Sequence, residues 1–326
     1  MKISIFETEP WQEKIFKKSF PKTNFCSKKL TSSNVKKYKD TEILSVFVHS
    51  KIDQKVLKQL PKLKYIATMS TGFDHIDLNV CKERKIVVSN VPTYGENTVA
   101  EQTFALILAL SRKITTTSEQ IKKGNFKRDN LRGFDLKEKV LGVIGTGNIG
   151  KHSIMIAKGL GMKILAFDLY QDKKFASSIG FKYVKMEQLL HQSDLITLHL
   201  PYNKHTHHLI NKSKIKIMKK GVYLINTARG SLIDTDALYS GLKLGKIAGA
   251  GLDVLEEEQD LLSGKKFLSK ESKKILRMNK EIVKMPNVIF SPHNAYNTKE
   301  ALIRIINTTI KNIKQFKKGK KINIIK

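Results

Sequence analysis

The sequence predicts an α/β protein built from two doubly wound parallel-sheet domains. Strand-length apolar runs alternate with polar stretches of helical spacing along nearly the whole chain, the pattern of parallel strands with helices on both sheet faces. Near the middle, an apolar run ends in Gly145-Thr146-Gly147-Asn148-Ile149-Gly150, which leads into a helical stretch and a second apolar run closing on Asp168. At 326 residues the chain also exceeds the usual size of one hydrophobic core.

From the N-terminus, the runs KISIF, TEILSVFVH, KLKYIATMS and KIVVSN read as strands, and the segments between them, such as 53–60, have helical spacing. This is the smaller, flavodoxin-like domain, expected over 1–95 and completed by 296–326. Ser70-Thr71-Gly72-Phe73-Asp74 follows directly on a strand, where open α/β sheets place ligands. Val91-Pro92-Thr93-Tyr94-Gly95 is an extended break. After it, 96–113 reads as a long apolar helix that links the two domains and could also offer a dimer surface.

The second domain, expected over 96–295, is a Rossmann nucleotide domain. Gly145 allows the tight turn, Gly147 lets backbone approach a pyrophosphate, and Gly150 lets the following helix pack against the sheet. The phosphates then sit at a helix N-terminus, where N–H groups and the helix dipole hold an anion. Asp168, about 20 residues on, can accept from ribose hydroxyls and would repel a 2′-phosphate, which makes the expected cofactor NAD and not NADP. Further strands are expected at 194–200, 221–226 and 247–254, each ending in a polar residue or a turn. The charged insertion 256–285 is expected to be mostly helical and solvated. A last strand at 288–290 leads through Ser291-Pro292-His293-Asn294-Ala295-Tyr296 to a closing helix expected to pack on the first domain.

The net charge of +31 would ordinarily raise nucleic acid as a partner. Yet only seven basic residues are arginine and the other 53 are lysines spread through every segment, in a chain also rich in Ile. Compositional bias explains that pattern better than a groove reader, which concentrates Arg and aromatics. Neither nucleic acid nor membrane is an expected partner, because no stretch approaches the ~20 apolar residues of a membrane span. Cys26 and Cys81 are too few for a disulfide scaffold and lack metal-ligand spacing, so a soluble protein of the reducing cytoplasm, without metal, is expected.

Three ionisable residues follow successive strands of the second domain: Arg229, Glu258 and His293. A guanidinium grips a carboxylate with two parallel bonds. An imidazole exchanges a proton near neutral pH, and a neighbouring carboxylate favours its charged form. Beside a nicotinamide, this trio describes oxidation of a 2-hydroxy acid.

The same residues carry a family resemblance. STGFDHIDL at 70–78, VPTYGENTVAE at 91–101, GVIGTGNIG at 142–150, NTARG at 226–230, GLDVLEEE at 251–258 and SPHNAY at 291–296 together resemble the D-isomer-specific 2-hydroxyacid dehydrogenases over nearly the whole chain. The resemblance implies that Arg229 binds the substrate carboxylate, His293 is the acid/base and Glu258 its partner, with Thr71 and Gly72 offering backbone N–H groups. It also implies that Asn148, Ile149, Asp168, Pro201, Thr206, Thr227, Ala228 and Asp253 line the NAD site beside Gly145, Gly147 and Gly150. Tyr94, Tyr296 and the long insertion resemble the D-lactate dehydrogenases, and a homodimer is expected. Gly95 and Asn297 depart from the commoner lactate pattern, which leaves room for another D-2-hydroxy acid: a longer 2-oxo acid, glyoxylate or phosphoglycerate. The fold also serves NAD(H)-sensing binding proteins, a separate class of function.

Overall fold

A strand covered on both faces needs apolar residues at nearly every position, and that is how this chain builds its sheets. The computed structural model describes residues 1–258 and 269–325. Contacts divide it into two units, Met1–Tyr94 with Asn297–Lys326, and Gly95–Tyr296.

The first unit holds a five-stranded parallel sheet of order β2-β1-β3-β4-β5. Its strands are β1 (Ile3–Phe6), β2 (Thr23–Cys26), β3 (Ile43–Val46), β4 (Tyr65–Thr68) and β5 (Val87–Ser89). β1, β3 and β4 are buried throughout. β2 carries no strand signal in the sequence, for a physical reason. TNFC is a half-exposed edge strand with neither a continuous nor an alternating apolar pattern. The expected helix at 53–60 shortens to Gln54–Lys58, capped by the Asp53 side chain, which accepts from the Val56 N–H.

The C-terminal segment completes this unit. The helix Lys299–Lys317 buries Ala301, Ile305, Ile306, Ile310 and Ile313, positions that recur on one face. The Phe316 ring stacks on Tyr65 with centroids 4.1 Å apart. The Tyr65 hydroxyl hydrogen-bonds Ser89 Oγ at 2.5 Å, and burial pushes it up to about 12. Beyond the helix, the Ile325 N–H donates to the Val88 carbonyl at 3.0 Å.

The second unit holds a seven-stranded parallel sheet of order β12-β11-β10-β9-β6-β7-β8. Its strands are β6 (Val140–Ile144), β7 (Lys163–Phe167), β8 (Lys182–Tyr183), β9 (Leu195–Leu198), β10 (Val222–Asn226), β11 (Ile247–Leu252) and β12 (Val288–Phe290). The chain adds strands outward from β6 in one direction, then returns to β9 and adds the rest in the other. The switch point therefore lies between β6 and β9, where open α/β sheets bind ligands. Two apolar clusters, one around Leu224 and Leu252 and one around Val143 and Ile164, form the core.

Two expectations change here. The helix from residue 96 ends at Ser111, because Lys113 takes a left-handed φ of 50° and a second helix, Ile114–Lys122, begins. The charged insertion is not simply solvated. Residues 259–268 lie outside the described residues, but the helix Lys270–Ile282 buries Ile275, Leu276, Met278, Asn279 and Ile282 on one face. Lysine at the intervening positions hides that stripe from a reading by composition. Among the described residues, no helix is long and apolar enough to cross a membrane.

Candidate active site

The glycine turn follows β6. Gly145 has a φ of 94°, and a Cβ there would stand 2.6 Å from the His199 carbonyl oxygen; at Gly150 it would stand 2.1 Å from that of Gly145. Gly147 is different, because nothing among the described residues lies within 4 Å of an added Cβ. Its lack of a side chain leaves room for a group from outside the chain. Gly147 also caps the helix Asn148–Gly159 without a side-chain bond, and among the described residues no side chain satisfies the first-turn N–H groups of Asn148, Ile149 and Gly150. Asp168 closes the turn: its Oδ2 accepts from the Thr146 N–H at 2.6 Å and the Thr146 hydroxyl at 3.1 Å, and its Oδ1 accepts from the Tyr170 N–H at 2.8 Å. A carboxylate has about four acceptor sites, so room remains for a hydroxyl. These residues fit a dinucleotide.

The other expected cofactor residues lie on loops after neighbouring strands of the same sheet. Thr206 Oγ1 donates to the Pro201 carbonyl at 2.8 Å and fixes the loop after β9. Thr227 shares a 2.9 Å hydrogen bond with Thr103. The Ala228 N–H donates to Asn226 Oδ1 at 3.0 Å, while Asn226 Nδ2 donates to the Arg229 carbonyl at 2.8 Å. One buried amide thereby shapes the turn that presents Arg229. Asp253, expected along the cofactor, is fully buried. Its Oδ1 accepts from Ser291 Oγ at 2.5 Å and the Asn294 N–H at 2.9 Å, and its Oδ2 accepts from the Ala295 N–H at 2.9 Å. That carboxylate shapes the loop carrying His293.

His293 itself has a left-handed φ of 50°, and its N–H donates to the Asp253 carbonyl at 2.8 Å. Its Nδ1 lies 2.6 Å from Glu258 Oε1, with side chains 29% and 17% exposed. Glu258 Oε2 accepts from the Leu255 N–H at 3.1 Å. Among the described residues, His293 Nε2 makes no hydrogen bond, and the ring meets Tyr296 edge-on with centroids 6.4 Å apart. The second unit thus brings Glu258, His293 and Tyr296 together. A histidine held this way can take or give a proton at Nε2 while the acid holds Nδ1.

In the first unit, Thr71 and Gly72 follow β4. The Thr71 hydroxyl donates to the Val91 carbonyl at 2.8 Å, and Ser70 Oγ donates to the Gly72 carbonyl at 2.6 Å. The N–H groups of Thr71 and Gly72 have no partner among the described residues, so this turn offers two donors to an anion. The Tyr94 carbonyl accepts from Arg304 Nε at 2.5 Å.

Several residues that shape the site carry little signal in the sequence. Gln102 donates to Ser291 Oγ at 3.1 Å across 189 positions, and neither residue stands out locally. Asn226 could be suspected, because Asn, Asp, Ser and Thr before a turn commonly bond the backbone. His199, at the end of β9, keeps part of its surface accessible, yet desolvation pushes it down to about 3; its Nε2 hydrogen-bonds Thr197 Oγ1 at 3.1 Å.

Comparison with known proteins fits this geometry. Residues 104–295 match the family described as D-isomer specific 2-hydroxyacid dehydrogenase, NAD binding domain. The chain is 35% identical to D-lactate dehydrogenase of Escherichia coli over 98% of both chains, and 37% identical to glyoxylate reductase of Thermococcus litoralis over 87% of this chain and 83% of the relative. Among solved structures it is similar to D-lactate dehydrogenase from Aquifex aeolicus complexed with NAD and lactic acid. That match has a TM-score of 0.87 at 38% identity and covers 98% of this chain and 96% of the other.

Proposed function

Because the chain belongs to the D-isomer-specific 2-hydroxyacid dehydrogenases and is an NAD-dependent oxidoreductase acting on D-2-hydroxy acids, we propose that its reaction is the interconversion of pyruvate and D-lactate. The observation that supports oxidoreduction at C2 most directly is the 2.6 Å contact of Glu258 with His293 Nδ1, which leaves Nε2 to the substrate. Bound at the glycine turn, NAD supplies the hydride acceptor for oxidation and its reduced form the donor for reduction. Gly145, Gly147, Asn148, Ile149, Gly150 and Asp168 hold its pyrophosphate and ribose, and Pro201, Thr206, Thr227 and Ala228 border it.

In oxidation, Arg229 grips the carboxylate with two parallel N–H bonds and fixes the plane of the substrate. His293 Nε2 takes the proton of the C2 hydroxyl as the C2 hydrogen leaves with its electron pair. Glu258 holds the Nδ1–H and stabilises the imidazolium that forms. In reduction, His293 returns that proton to the 2-oxo oxygen, which Arg229 polarises. Thr71 and Gly72 serve the substrate carboxylate with their N–H groups, and Tyr94 and Tyr296 favour a small substrate.

The working form is a homodimer of the cytoplasm. In support, Leu108, Ile114, Ile121 and Phe126, between 41% and 76% exposed, lie close together in sequence on the second unit, and both cysteines are free.

Steady-state assays with NADH test the substrate. Pyruvate should be turned over at about 1–10³ per second, the ordinary enzyme range, with a kcat/KM above those of glyoxylate and of 2-oxo acids of four to six carbons. A preference for a longer acid would move the assignment within the family. No turnover of any of them, with NADH still bound, would favour the sensing reading.

A further inference from the structure

Two residues before Glu258, the same turn carries a second acid, and it is buried. Glu256 is 8% exposed. Its Oε1 lies 2.7 Å from His208 Nε2, and its Oε2 accepts from Thr235 Oγ1 at 2.7 Å. Its backbone carbonyl accepts from Asn279 Nδ2, also at 2.7 Å, and Asn279 is itself fully buried in the insertion helix. A buried carboxylate is costly unless paired and hydrogen-bonded, and here every oxygen of the residue has a partner.

Those partners come from three separate segments. His208 belongs to the loop after β9, which also carries Pro201 and Thr206. Thr235 begins the helix Thr235–Lys243, and Asn279 lies on Lys270–Ile282. The His208 N–H also donates to the Ser231 carbonyl at 2.8 Å, two residues from Arg229. Gly230 closes the same point, because a Cβ there would stand 2.0 Å from the Leu255 carbonyl carbon. Between the two acids, Glu257 takes a left-handed φ of 56°, a conformation in which a non-glycine residue persists when its surroundings hold it. The direction in which Glu258 leaves the turn is therefore set by how Glu256 is held.

From this juxtaposition we infer that Glu256 and His208 form a positioning pair for the reaction. They clamp the turn from which Glu258 reaches His293 and tie it to the loop of Pro201 and Thr206. Neither residue touches the reacting atoms. The inference rests on the reading of Glu258 and His293 as the reacting pair.

A double-mutant cycle on the full chain tests it. Glu256→Gln should lower kcat about 20-fold with the KM for pyruvate changed less than about threefold, and Glu258→Gln should lower kcat about 100-fold. If Glu256 acts through Glu258, the double variant should match Glu258→Gln alone to within about threefold, since residues acting as a unit are not additive. His208→Gln, which leaves Thr235 on the acid, should give a smaller loss that likewise vanishes in the Glu258→Gln background; it decides the matter if Glu256→Gln does not fold. Losses that multiply in the double variants, or an unchanged kcat in both single variants, would overturn the inference and leave the reacting pair standing. Wild-type turnover in Glu258→Gln would overturn the reading beneath it as well.

Discussion

The two histidine–carboxylate pairs of the second unit stand on one turn at nearly the same distance, 2.6 Å for His293–Glu258 and 2.7 Å for His208–Glu256. They differ in which ring nitrogen the acid takes. In His293 it is Nδ1, beside the ring's point of attachment, so the far nitrogen Nε2 is left to reach outward. In His208 the far nitrogen is the one consumed, and the reach of the side chain ends on the carboxylate. The acids differ in exposure, Glu258 at 17% and Glu256 at 9%, while the two histidines are alike at 29% and 33%. A short ion-pair distance therefore says little about chemistry. In the proposed reaction, the nitrogen left over separates a proton carrier from a strut.

The largest test of that contrast is a matched pair of substitutions. His293→Gln should lower kcat by about 10²–10⁴, the usual worth of a positioned acid or base, whereas His208→Gln should stay within about tenfold of wild type. Equal losses in stopped-flow single turnovers would erase the distinction. Next in size, Arg229→Lys should lower kcat/KM for pyruvate about 100-fold while NADH affinity, read by fluorescence titration, stays within about twofold, since a point charge cannot make the paired grip. Unchanged kcat/KM would remove the guanidinium from the substrate and with it the reason for Nε2 to face there.

A third histidine sharpens the comparison with a smaller effect. His199 is pushed down to about 3 by desolvation, with no carboxylate beside it among the described residues. Its folded value lies below the ~6.5 of an unfolded chain, so as pH falls the unfolded chain takes up this proton first. Stability is thus retained above about 6.5 and lost progressively toward 3. His199→Gln removes the proton site, and the fall in Tm between pH 7 and pH 4.5 should shrink by a few degrees, on the order of 2–4 °C. An identical fall in the variant would show that other groups take up the protons.

The sequence makes the chemistry of this protein more legible than its supports. The glycine turn, Asp168 and the strands around them carry a local pattern, because backbone geometry near a phosphate restricts residue choice within a few positions. Glu258 and His293 are visible as types at strand ends, and their meeting across 35 positions needs the sheet to place it. The strand Lys182–Tyr183 is too short for any period, and β2 has no alternation. Asn279 shows the limit clearly. It is a polar residue in a lysine-rich helix, and only tertiary structure reveals that it is buried and bonded to the turn of Glu256 and Glu258. Asp253 was legible as a residue of interest, but its bonds to Ser291, Asn294 and Ala295 were not, since nothing local marks which oxygen will meet which amide.

The first unit is written in two pieces, Met1–Tyr94 and Asn297–Lys326, with the whole second unit between them. During synthesis, β4 therefore leaves the ribosome long before Phe316, the ring that stacks on its Tyr65. At about 5–20 residues per second, the roughly 250 residues from β4 to Phe316 take on the order of 12–50 s. The second unit has all of its strands in hand by the end of that interval, while β4 still waits for its covering helix. The part of the chain made first is thus the last to be finished, and until then the nascent protein carries an uncovered apolar strand that a chaperone could recognise.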